Sequence, residues 1–214
     1  MTNSAILKKI YDRLYSTYGP CNWWPGDSPF EVIIGAILTQ NTNWTNVEKA
    51  IRNLKDANVF TPDKFFKIEI TKLAELIKPA GYFNVKAKRI KKFINWLFEN
   101  YDGDLTQMFA QSLGTLREEL LSVNGIGPET ADSILLYAGN KPTFVVDTYT
   151  YRILSRHDLI PEDSTYDDIK DFLEDNMPED VKLYNEYHAL LVQIGKEFCK
   201  PKRKCENCPL NGLT

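Results

Sequence analysis

Leu120-Leu121-Ser122-Val123-Asn124-Gly125-Ile126-Gly127-Pro128-Glu129-Thr130-Ala131-Asp132 is the stretch whose reading decides the fold. An apolar helical run through Leu116, Leu120 and Leu121 stops at a Gly-x-Gly turn. A second helix then opens on Pro128 at its first position, where the missing N–H costs nothing. Its apolar residues Ala131, Ile134, Leu135 and Ala138 follow at helical spacing. Glycines in such a turn permit positive φ and let the backbone approach another chain closely. Bare N–H groups at a helix N-terminus make a phosphate site. Glu129 stands just inside the second helix, and Asp147 follows eighteen residues later, after the short apolar segment Phe144-Val145-Val146.

Other segments belong with this one. Gly35-Ala36-Ile37-Leu38-Thr39-Gln40-Asn41-Thr42, Gly81-Tyr82-Phe83-Asn84-Val85-Lys86-Ala87, Val146-Asp147-Thr148 and a C-terminal cysteine cluster flank the hairpin. In that order, and over nearly the whole chain, they resemble the endonuclease III superfamily of helix-hairpin-helix DNA glycosylases. Trp23-Trp24-Pro25 and the position of Glu129 are similar to the 3-methyladenine DNA glycosylase type III branch.

With 214 residues the chain is long enough for one large or two small domains with a real core. It has no apolar run of membrane-spanning length, and Met1-Thr2-Asn3-Ser4 leads into a helical pattern without a secretory signal. Three of four cysteines cluster near the C-terminus, which fits metal binding in a reducing compartment better than disulfides, so the expected location is cytoplasmic. The net charge of −3 looks wrong for a DNA partner, but residues 161–180 alone carry −8, which leaves +5 on the rest. A basic face, not the total, is what nucleic acid requires.

Periodicity predicts an all-α chain. Helices are expected at 4–18, from the capping box Ser28-Pro29-Phe30-Glu31, and at about 43–57, 62–67, 71–78, 84–101, 112–122, 128–139, 148–158, 165–176 and 181–199. The resemblance implies two lobes: a barrel over 27–137 ending in the hairpin, and a second lobe of 1–26 plus 138–214. It also implies a cleft between them for the target base.

Asp147 reads two ways that agree. It is an N-cap for the helix opening at Thr148, and the resemblance makes its carboxylate the anion facing the sugar as the base departs. Glu129 stands where bifunctional family members carry a Schiff-base lysine. A carboxylate cannot form an imine, and residues 121–133 contain no lysine, so AP lyase activity is expected to be absent. Glu129 reads either as a group that meets the base or the attacking water, or as a first-turn acid matched to the helix dipole. Trp24, Trp44 and Trp23 supply aromatic faces that could stack on an extruded base, with cation–π attraction for a cationic 3-methyladenine.

Further roles follow from the resemblance. Gln40 would fill the hole left by the flipped nucleotide, and Tyr82 would wedge into the opposite strand. Gly125, Gly127 and Thr130 would meet the DNA backbone. The carbonyls of Leu121, Val123 and Ile126 would hold K+ or Na+ against a phosphate. Lys86 and its neighbours Lys88, Arg89, Lys91 and Lys92 read as a phosphate-contacting helix face. Cys199, Cys205 and Cys208 resemble a [4Fe-4S] segment, but the position of the fourth cysteine is Thr214. The alternatives are loss of the cluster, a non-cysteine fourth ligand, Cys21 as that ligand, or zinc on three thiolates plus another ligand. The expectation is a monomeric, monofunctional glycosylase of duplex DNA carrying a damaged base, 3-methyladenine first. The alternatives are a mismatch or deaminated-base glycosylase and a non-catalytic hairpin DNA-binding protein.

Overall fold

The computed structural model describes residues 2–21, 23–24 and 26–213. These residues form helices and connections, with no strand among them, and no described helix is long and apolar enough to cross a membrane. The chain divides into two units: Pro25–Gly139, and Met1–Trp24 together with Asn140–Thr214.

The first unit is built around α2 (Pro29–Thr39), which starts where Ser28 accepts the Glu31 N–H and Pro29 takes the first position. Every residue from Phe30 to Leu38 is buried, as expected of a helix that is apolar all round. Phe30, Phe60 and Phe65 meet edge to face at one end of it. Around it stand α3 (Trp44–Asp56), α4 (Pro62–Lys67), α5 (Ile70–Leu76), a 3₁₀ turn at Lys78–Ala80 and α6 (Phe83–Tyr101). Then come α7 (Leu105–Phe109), α8 (Leu113–Ser122) and α9 (Pro128–Ser133). The five-residue α7 escapes the periodicity reading because it is too short to show a period; Asp104 caps it through Thr106 and Gln107 N–H. The predicted helix 128–139 is α9 running into one π turn, Ile134–Ala138.

The second unit packs α1 (Asn3–Tyr18) and α10 (Thr148–Arg156) on α12 (Val181–Glu197), with α11 (Tyr166–Asp175) completing it. Tyr187 is fully buried on α12 and donates its hydroxyl to the Leu7 carbonyl of α1 at 2.9 Å. The α10–α12 approach depends on Gly195: a Cβ there would lie 2.4 Å from the Tyr149 ring.

Candidate functional site

The helical hairpin is clamped from three sides. Arg117 on α8 makes a two-pronged ion pair with the fully buried Asp132 on α9, at 2.8 and 3.2 Å. Between the helices the Ile126 N–H closes the turn on the Val123 carbonyl at 2.9 Å. That uses one of the two lone pairs of a carbonyl expected to face a cation. Gln40, just past α2, donates to the Gly125 carbonyl (3.1 Å) and the Thr130 hydroxyl (2.9 Å) and accepts from Arg89. Lys92 donates to the Asn124 side chain in the turn at 2.6 Å.

These contacts give several of the predicted residues structural roles. Gln40, half-buried, and Thr130, buried, hydrogen-bond each other, so both brace the hairpin. Lys86 is 1 % exposed, and its ammonium is held by the Leu38 (2.8 Å) and Ala80 (2.7 Å) carbonyls. It closes the ends of α2 and the 3₁₀ turn and cannot reach a phosphate. Burial, then the charge of Arg89, lowers its pKa to about 8. Only one of the two glycines needs positive φ. Gly125 has φ +101° and lies against the Arg89 stem, which a Cβ would meet at 2.5 Å. Gly127 has an ordinary φ of −96° and open space where its Cβ would be.

Among the outward-facing residues, Glu129 is exposed in the first turn of α9. Tyr82 is 73 % exposed and left-handed (φ +44°) directly after Gly81 (φ +67°). Trp44 opens α3, half-buried, with its indole N–H on Glu48 at 2.9 Å.

In the other unit, Trp23 and Trp24 meet edge to face, ring centroids 6.0 Å apart. Pro25 of that motif lies outside the described residues. The Lys196 ammonium sits 5.4 Å from the centre of the Trp23 ring, so that face already holds a cation. Asp147 ends an extended segment pinned by side chains of α11 and its cap region. The Phe144 N–H donates to Glu174 at 2.6 Å and the Val146 N–H to the Tyr166 hydroxyl at 3.3 Å. Asp147 caps α10 as expected: its Oδ1 accepts the Thr150 N–H (2.7 Å) and the Thr150 hydroxyl (2.9 Å). Its Oδ2 lies 3.7 Å from Nε2 of His188. Burial lowers the His188 pKa; Asp147 opposes that shift and Lys196 adds to it. His188 escaped the sequence reading because a lone histidine in the apolar run of α12 resembles core.

Cys199, Cys205 and Cys208 line one cavity of about 60 Å³, together with His157, Arg156, Arg203 and Lys204. Arg156 donates to the Cys199 sulfur at 3.2 Å and to the Lys200 and Pro201 carbonyls; Arg152 takes the Cys199 carbonyl. Three thiols and an imidazole are the right kind of donors for iron or zinc. As they stand, no three ligating side chains among the described residues are close enough to hold an ion. Cys21 is not among the cavity's lining residues, and Thr214 lies outside the described residues. The chain after Cys208 does dock by packing: Leu210 and Leu213 are buried, and Lys9 and Arg13 of α1 hold the Leu213 and Asn211 carbonyls.

Residues 34–179 match the HhH-GPD superfamily of base excision DNA repair proteins. The chain belongs to that superfamily. It is 50 % identical over 207 residues to a candidate DNA repair glycosylase of Methanocaldococcus jannaschii, which spans 96 % of this chain and 94 % of that one. It is 33 % identical over 181 residues to endonuclease III of Thermotoga maritima, covering 84 % of this chain and 79 % of the relative. The structure superimposes on H. pylori 3-methyladenine DNA glycosylase bound to 1,N6-ethenoadenine with a TM-score of 0.80 and 31 % identity, over 92 % of this chain and 98 % of that one. The protein is thus an endonuclease III-like member of a DNA glycosylase superfamily, with likeness to the 3-methyladenine type.

Proposed function

We propose that the protein is a monofunctional DNA glycosylase that hydrolyses the N-glycosidic bond of an alkylated purine, 3-methyladenine first, in duplex DNA. The observation that carries this reading is Asp147, a largely buried carboxylate with one oxygen fixed by two Thr150 donors and the other 3.7 Å from Nε2 of His188 without a hydrogen bond to it. As the C1′–N bond breaks, its electron pair leaves with the base and positive charge grows on the sugar. A fixed anion stabilises that charge, and the water that adds at C1′ loses its proton to the carboxylate or to solvent. A 3-methylated adenine is already cationic and departs neutral, so no acid is needed to protonate it.

The absence of lysine from residues 121–133, with Glu129 in its place, supports water rather than an amine as the nucleophile. The H. pylori relative, which carries a 3-methyladenine glycosylase name and an etheno-purine, supports the purine class. In this reading Trp24 and Trp44 stack on the extruded base, Tyr82 wedges into the duplex, and the open face at Gly127 meets a phosphate, with K+ or Na+ on the hairpin carbonyls. Cys199, Cys205, Cys208 and His157 are the donors that would hold an iron–sulfur cluster or zinc. That group would fasten the 199–208 loop to α10 and take no part in bond cleavage. Iron and zinc analysis of anaerobically purified protein tests it.

The decisive experiment uses duplex DNA methylated with labelled methyl groups. Wild type should release free 3-methyladenine and leave abasic sites that break only in alkali, with no borohydride-trapped adduct. Asp147→Asn keeps the cap but loses the charge, so base release should fall about 100- to 1000-fold with melting temperature unchanged. Full activity in Asp147→Asn, or a trapped adduct, would overturn the reading. Release of uracil or thymine instead of methylated purine would move the assignment to deaminated bases.

A further inference from the structure

Asp147 has two oxygens in different surroundings. Oδ1 is taken up by the two Thr150 donors, while Oδ2 faces Nε2 of His188 at 3.7 Å. The pair is nearly sealed from solvent, with side chains 13 % and 6 % exposed. One half is the N-cap of α10 and the other lies on α12. Their approach is set by the Tyr149 ring against Gly195, where no side chain would fit. The imidazole is enclosed: His188 is 4 % exposed, and Phe144, which itself meets Tyr184 and Tyr187 edge to face, lies at a centroid distance of 6.4 Å from it. A ring so enclosed has little freedom to turn away from the carboxylate.

We propose that His188 is a positioning residue for Asp147: its Nε2–H faces Oδ2 and fixes the plane in which the carboxylate presents its free lone pairs to the sugar. The proposal rests on the reading of Asp147 as the reacting anion. At 3.7 Å the contact is longer than a hydrogen bond, and catalytic contacts of this kind tighten in the substrate complex. The imidazole serves in its neutral form, since a second full charge beside Asp147 would offset the anion that the sugar needs. The charged groups acting on it are Asp147 and Lys196, and burial opposes protonation.

His188→Phe keeps the ring's bulk and removes the donor. His188→Gln restores an N–H near the position of Nε2. In single-turnover release of 3-methyladenine at saturating protein, His188→Phe should lose about 100-fold, the size of a misplacement by roughly 1 Å. His188→Gln should recover most of that loss, and both should bind methylated duplex as wild type does. Adding His188→Phe to Asp147→Asn should cost nothing further, because the two act as one unit. Wild-type release by His188→Phe, while Asp147→Asn is inactive, would sink the His188 proposal alone. Equal losses in Phe and Gln variants, with lowered melting temperature and DNA affinity, would make His188 a packing residue. Activity in Asp147→Asn would instead remove the reading beneath it.

Discussion

Along α6, Lys86, Lys88, Arg89, Lys91 and Lys92 place five cations in seven residues, and Lys200, Lys202, Arg203 and Lys204 place four in five. As sequence the two runs look alike; as structure they have little in common. Lys86 and Lys91 turn inward onto carbonyls, those of Leu38 and Ala80 and those of Phe65 and Phe66. Arg89 and Lys92 hold Gln40 and the hairpin turn. Lys88 alone of the five is left without such a partner among the contacts described. In the second run the acceptors are taken from outside: Arg156 already holds the Lys200 and Pro201 carbonyls, and the loop side chains stand exposed. Helix ends near a basic run draw its cations in, because unsatisfied carbonyls and the dipole both attract them. At the cysteine loop the carbonyls that follow α12 are already taken by Arg152, Arg156 and the Lys204 N–H, which leaves the loop's own ammonium groups for a partner.

The sharpest way to break this contrast is Lys86→Met. It fills the space but leaves two buried carbonyls without their donor, and should lower stability by about 2–3 kcal/mol, read by denaturant melts. Lys88→Ala on the same helix should stay within about 0.5 kcal/mol. The pH dependence adds a sign. With Lys86 depressed to about 8 in the folded protein, the unfolded chain binds more protons between that pH and the ordinary lysine value of about 10.4. Wild type should therefore gain stability as pH rises through that window, relative to Lys86→Met. A flat difference between the two would mean that Lys86 does not titrate as a buried amine.

Next in size come the hairpin glycines, which the inward run braces. Gly125→Ala places a methyl at 2.5 Å from the Arg89 stem in a left-handed residue. About 1–3 kcal/mol of stability should go. Gly127→Ala meets nothing and has an ordinary φ, so stability should hold. If this is where a phosphate backbone approaches, Gly127→Ala should weaken DNA binding alone. Matching losses from both glycines in the melt would show that the turn is strained at Gly127 as well.

Most of the helices could be read directly because their starts carry their own chemistry: Ser28-Pro29, Thr61-Pro62, Asp147 and Thr165 all cap as their residue types require. The π turn at Ile134–Ala138 has no such signal, since its residues keep the spacing of an ordinary helix. The inward turn of Lys86 was readable in principle. It shares a helical face with Ile90, Phe93, Ile94 and Leu97, all buried, and a lysine in that register has to bring its ammonium to acceptors. Asp147 could be found as a cap; its neighbour His188, forty-one residues on, depends on how α10 and α12 pack, which no local pattern encodes.

The smallest effect tests the outward run. Under the proposed function, each loop lysine that meets a phosphate releases one counterion's share of the salt dependence. Lys202→Ala should therefore flatten the plot of log Kd against log salt by about 0.9. Near physiological salt that amounts to roughly a fivefold weaker Kd, so the slope is the better readout. Methylated and unmodified duplexes should lose equally, because a phosphate contact positions the protein without reading a base. Lys91→Ala supplies the opposite signature, a lower melting temperature with an unchanged slope, since its ammonium is engaged by the carbonyls that end α4. If Lys202→Ala leaves the slope untouched while Lys91→Ala flattens it, the two runs have been assigned the wrong way round, and α6 rather than the cysteine loop faces the duplex.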